Sequence, residues 1–143
     1  MTSSISIDWQ SGAVSVDQVQ VALGGGGLLS PARTFAKPIE VPSLGLTRYR
    51  STQKANVCGF VADLVVDVEG PKLISIALLF ELIVFFDRTI LESRIVKAIE
   101  KKSGLRAISS HPATARLEPC PWGSAEFSYD PRQGDLSLLL RYN

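Results

Sequence analysis

Residues 73–86 read LISIALLFELIVFF, the most apolar run in the chain: one serine, one alanine, one glutamate and eleven larger apolar residues. As a helix, fourteen residues would span about 21 Å, short of the roughly 30 Å of a bilayer's hydrocarbon core. A transmembrane helix is therefore not expected, and neither is any other membrane association. As a strand, the run sorts itself. Ile74, Ile76, Leu78, Phe80, Leu82, Val84 and Phe86 share one face, and every small or polar residue falls on the other, with Ser75, Ala77 and Glu81. Its β-branched and aromatic content agrees.

The preceding segment, 56–70, alternates in the same way. Asn56, Cys58, Phe60, Ala62, Leu64, Val66 and Val68 oppose Val57, Gly59, Val61, Asp63, Val65, Asp67 and Glu69. Glu69-Gly70-Pro71-Lys72 supplies a turn. Together the two segments predict one long hairpin. For the apolar faces to coincide, paired residues must share parity, because a slip of one residue turns a strand over. This predicts a loop of three or five residues, with Phe60 opposite Phe80 and Gly59 opposite Glu81.

Outward from this hairpin, Ile5, Ile7 and Trp9 alternate and Gln10-Ser11-Gly12 turns. The phase of the following valines changes at Asp17-Gln18, predicting a bulge or break. Residues 24–43 hold GGGG and three prolines, and read as a loop or extended arm. A short strand is expected from Leu44 and Leu46 through Arg48-Tyr49-Arg50. Thr89 and Glu92 have capping-box spacing, predicting a helix over about 90–103 that is closed by Ser103-Gly104. Its expected apolar face is Leu91, Ile95, Ala98 and the Lys102 stem, with Ile99 beside them. Residues 105–123 read as loop with a short strand near 105–108. A second hairpin pairs Ala125, Phe127 and Tyr129 with Leu136, Leu138, Leu140 and Tyr142. The expected architecture is α+β and β-rich: an antiparallel sheet or sandwich of long hairpins with one α-helix, in a single domain spanning residues 1–143.

Composition narrows the function classes. The 143 residues are 45% hydrophobic and 20% charged with net charge +1, a globular pattern with no global field for nucleic acid or membrane surfaces. Two cysteines are too few for a disulfide scaffold. The N-terminal stretch lacks the basic and apolar regions of a signal peptide, which points to a cytoplasmic or particle-associated protein. GGGG is followed by Leu28-Leu29 rather than the Lys-Ser or Lys-Thr of a phosphate loop, so a flexible tip is the better account. His111 is the only histidine, with no ligand at metal spacing. Cys120-Pro121-Trp122-Gly123 has one thiol where dithiol chemistry needs two, and Trp122 reads as a loop anchor or interface residue. No nucleophile, base and stabiliser are assembled, so no enzyme, cofactor or metal is expected.

Two charge clusters adjoin. Residues 31–56 carry Arg33, Lys37, Arg48, Arg50 and Lys54 against Glu40, with Phe35 and Tyr49 interleaved as stacking residues are in single-strand binders. Residues 57–70 carry Asp63, Asp67 and Glu69 and no cation. Opposite patches of this kind suit head-to-tail contact between copies. The mixed face of the hairpin, with Leu79, Glu81, Ile83, Phe85, Asp63 and Asp67, is more apolar than a solvated sheet face needs to be. Either the helix or another subunit covers it. The expectation is a structural subunit that self-associates into a larger complex, of the virion or phage-tail kind. A binding module for an apolar ligand or peptide is the alternative. Nucleic-acid binding through Arg33, Lys37, Arg48, Tyr49, Arg50 and Lys54 is the third reading. Under the first, Glu81 takes a cationic partner from the 31–56 stretch.

Overall fold

The computed structural model describes residues 3–17, 19–22, 38–70, 72–80, 90–111, 113–130 and 135–142. The β-rich α+β expectation holds: among the described residues, a mostly antiparallel sheet of twelve strands carries one α-helix. The described part of the apolar run, residues 73–80, lies in β8, Lys72–Phe80, paired along β7, Phe60–Glu69. Glu81, Ile83 and Phe85 lie outside the described residues.

The hairpin keeps shared parity but reaches it by another route. Only two residues separate the closing pair, Glu69 and Lys72, where three or five were expected. A loop of that length sets opposite parity, and a bulge then restores it: Val68 faces Leu73 but Asp67 faces Ser75, so Ile74 is the extra residue. Leu73 therefore takes the core position expected of Ile74, and Ala62, not Phe60, stands opposite Phe80.

The segment 56–69, read as one strand, is two. β6, Ala55–Val57, turns at Cys58-Gly59 into β7, with Val57 opposite Phe60. Both turn residues have positive φ, 53° and 89°, the conformation whose twist matches a two-residue hairpin. The Asn56 carboxamide oxygen accepts the Gly59 N–H at 2.9 Å. Asn-Gly at the turn itself would have announced it, whereas Cys-Gly did not. Gly59 thus sits in a hairpin turn; Glu81, its expected partner, lies outside the described residues.

Strand β5, Leu46–Arg50, runs beside the far half of β7 on the same edge as β6. Ser51 bridges the break between them: its N–H donates to the Leu64 carbonyl and its hydroxyl accepts the Leu64 N–H. β4, Ile39–Val41, pairs with β5, so the end of the expected 24–43 arm is an edge strand; residues 23–37 lie outside the described set. Beyond β8 come β12 (Asp135–Tyr142), β11 (Gly123–Asp130), β10 (Thr114–Glu118) and β9 (Arg106–His111). β10 was read as loop, because three prolines flank so short a strand. On the other side, β6 pairs in parallel with β1 (Ser3–Ile7), followed by β2 (Val14–Val16) and β3 (Val19–Ala22). The predicted break at Asp17 is a turn, where its carboxylate and its N–H both bond the Ser4 backbone at 2.8 Å.

The helix, α1, is shorter than expected: Arg94–Ser103, after a 3₁₀ turn over Ile90–Glu92. Ser93 is the N-cap, four residues beyond the expected Thr89, which lies outside the described residues. Ile95, Val96 and Ile99 are buried, while Lys102 is exposed. Gly104, in the left-handed conformation, donates to the Glu100 carbonyl and ends the helix as predicted.

One core joins everything. Leu64, Val66, Ile76, Leu78, Phe80, Phe127, Leu136, Leu138 and Leu140 from the inner sheet face pack with Ile90, Ile95, Val96 and Ile99. Each such side chain contributes roughly 1.5–3 kcal/mol on burial. Ile5, Val14 and Val16 belong to the same cluster, so the N-terminal strands fold back over the sheet. A clasp closes this return. The Trp122 indole N–H donates to the Trp9 carbonyl at 2.9 Å, and the buried Tyr142 hydroxyl donates to the Gly12 carbonyl at 2.7 Å. A Cβ on Gly12 would stand 2.6 Å from the Trp122 ring. Trp122 is thus the loop anchor that its place among prolines suggested.

Candidate interaction surface

The helix answers the question left by the mixed face. It lies on the fully apolar side of the sheet, with Ile95, Val96 and Ile99 in the core. The outer face carries no residue of that helix's buried set. Val65 is on that face: it is buried but stands apart from the core cluster.

Register places the outer residues in rows. One row runs Arg50, Val65, Ala77, Leu139, Glu126, Arg116 and Ile108 across β5, β7, β8, β12, β11, β10 and β9. On one side, Asp63, Leu79, Ser137, Ser128 and Thr114 stand abreast. On the other are Arg48, Asp67, Ser75, Arg141 and Ser124. The middle is small and apolar, with Ala77, Leu79 and Leu139 half-buried. Ile108, on edge strand β9, is 46% exposed, one of few large apolar side chains so open. A sheet face facing only water would alternate to polar side chains here.

The two charge clusters do not form separate patches. Their strands are neighbours, and they pair within the chain. Arg48 grips Asp67 with two parallel bonds, at 2.8 and 3.0 Å. That bond, and the carboxylate's charge, hold the guanidinium above its ordinary pKa. Lys54 reaches Asp63 at 3.0 Å, with both side chains nearly half exposed. An exposed pair of that kind adds about 0–1 kcal/mol; the bidentate pair is the stronger. Tyr49 faces Val66 on the inner side and packs against the core, so it is no stacking platform. Arg50 remains exposed, and Arg33 and Lys37 lie outside the described residues.

The sequence did not single out the far half of this face. Arg116, Ser124, Glu126, Leu139 and Arg141 line one shallow groove. Alternation along the C-terminal hairpin placed Ser124, Glu126, Leu139 and Arg141 on one side. What it lacked was the pairing of β12 with β8, which makes that side continuous with Leu79 and Ala77. Away from this face, Ile7, Trp9, Val57, Cys58 and Lys102 line a cleft where β1 and β6 part after two pairs. Both cysteines are free thiols, and burial raises the pKa of each. No group of potential metal ligands gathers among the described residues, and no helix among them is long and apolar enough to cross a membrane. No protein-family model, curated protein or solved structure matches the chain.

Proposed function

We propose that this protein is a non-enzymatic assembly subunit that self-associates through the outer face of its sheet. The observation that carries this is the side on which the helix packs. With α1 spent on the inner face, half-buried Ala77, Leu79 and Leu139 and exposed Ile108 form the centre and edge of an apolar strip on the outer face. Asp63 and Asp67 lie at its rim, each held by a cation of the same chain. Burying such a centre inside a polar rim is how protein interfaces are built. Particles of the virion or phage-tail kind are one setting for such a subunit. The nucleic-acid reading loses support, because Arg48 and Tyr49 are engaged within the fold.

The test is the mass in solution. Light scattering across a concentration series is expected to show a dimer or larger species, and Leu139→Lys is expected to reduce it to a monomer with an unchanged circular dichroism spectrum. A wild-type monomer at high concentration overturns the proposal.

A further inference from the structure

The two halves of the outer face treat their charges differently. In the β5–β7 half, Arg48 and Lys54 are satisfied by Asp67 and Asp63. In the β10–β12 half, Arg116, Glu126 and Arg141 converge on one groove, yet among the described residues none of the three makes an ion pair. Arg116 stands opposite Glu126, and Arg141 stands opposite Ser124, two residues along β11 from Glu126. The groove's apolar lining residue is Leu139, in the middle row.

Both signs of charge therefore occur in one patch around an apolar centre. A patch of one sign needs a complementary surface elsewhere. A patch holding both signs can complement itself, and self-complementary patches are the requirement of a two-fold interface, in which residue i meets j and j meets i. We infer that the β10–β12 half of the outer face docks on the same half of a second copy about a two-fold axis, with Glu126 of each copy accepting from Arg141 of the other. Leu139 meets its own counterpart near the axis. Arg116 stays beside its own Glu126, so the carboxylate sits between two guanidinium groups. This deepens the assembly reading and rests on it: it replaces head-to-tail contact, whose charges pair within the chain, with a closed dimer as the building unit.

Charge reversal tests the geometry. Arg141→Glu gives a copy with acids at both positions, and Glu126→Arg gives one with bases at both. Each variant alone would face like charges across the axis, which cost several kcal/mol, so dimer Kd is expected to rise at least about 100-fold. A one-to-one mixture is expected to recover a heterodimer, since both cross-axis pairs are then opposite in sign. Native mass spectrometry with one copy isotopically labelled reads the composition, and circular dichroism checks each fold. If either reversal unfolds, Arg141→Gln and Glu126→Gln replace them, with weaker dimers expected from each. A wild-type monomer would overturn both the assembly reading and this inference. A wild-type oligomer that persists in both single variants, or a mixture that fails to recover the dimer, would overturn the two-fold docking alone and leave assembly standing.

Discussion

At the scale of single residues, close backbone contact constrains this fold more than any charge does. Gly123 opens β11 opposite Tyr142, and a Cβ there would overlap the Arg141 carbonyl oxygen. The strain falls on backbone, which cannot swing aside as a flexible side chain can. Gly123→Ala is therefore expected to lower stability by about 2–3 kcal/mol, as overpacking does; the urea midpoint measures it, and a loss under 0.5 kcal/mol would refute the contact. The residue scale is also where the sequence was hardest to read. Nothing in Cys-Gly announces a turn at 58–59, because cysteine rarely adopts positive φ. The inward turn of Tyr49 was hidden as well, since an aromatic beside arginines reads equally as a stacking platform or as core.

Among the elements, the helix departs most from expectation. Its boundary moved to Ser93, which takes the N-cap backbone conformation without a capping bond. The Ser93 hydroxyl is buried and has no hydrogen-bond partner among the described residues. An N-cap serine usually loses about 0.5–2 kcal/mol on truncation to alanine. Here the hydroxyl caps nothing and is dehydrated, so Ser93→Ala is expected to be neutral or stabilising; a thermal or urea midpoint that falls by the usual cap increment would contradict this. The strands were far more legible. Period-two alternation located β1, β2, β5, β7, β8, β11 and β12, because a strand with one buried face must alternate. It missed β10, whose five residues offer only Ala115 and Leu117 as buried positions. It also misjudged the β7–β8 loop, because a bulge at Ile74 can correct the parity that a two-residue connection sets.

For the whole molecule, the decisive event is the return of the N-terminal strands onto the C-terminal hairpin. Tyr142 bonds Gly12 across almost the full length of the chain. Burial pushes its phenol pKa well above the ordinary value of 10.0. The sign follows: the folded protein keeps a proton that the unfolded chain releases, so this contribution is complete below about pH 10 and is lost as pH rises further. Tyr142→Phe is expected to cost about 1–3 kcal/mol at neutral pH, by leaving the Gly12 carbonyl unpaired, and to flatten the alkaline fall in stability. Urea titrations at pH 7 and above pH 10 check both, and parallel alkaline profiles for the two proteins would exclude the role. The sequence by itself determined the β-rich class, the two hairpins and the identity of most inward residues, since alternation is a local consequence of one-sided burial. Tertiary structure alone decided the rest: that β12 lies beside β8, that the helix covers the apolar face, and that Arg48 and Lys54 meet Asp67 and Asp63. Those outcomes depend on pairing between segments distant along the chain. A strand's alternation shows which side it buries, but not which neighbour it joins or what comes to cover it.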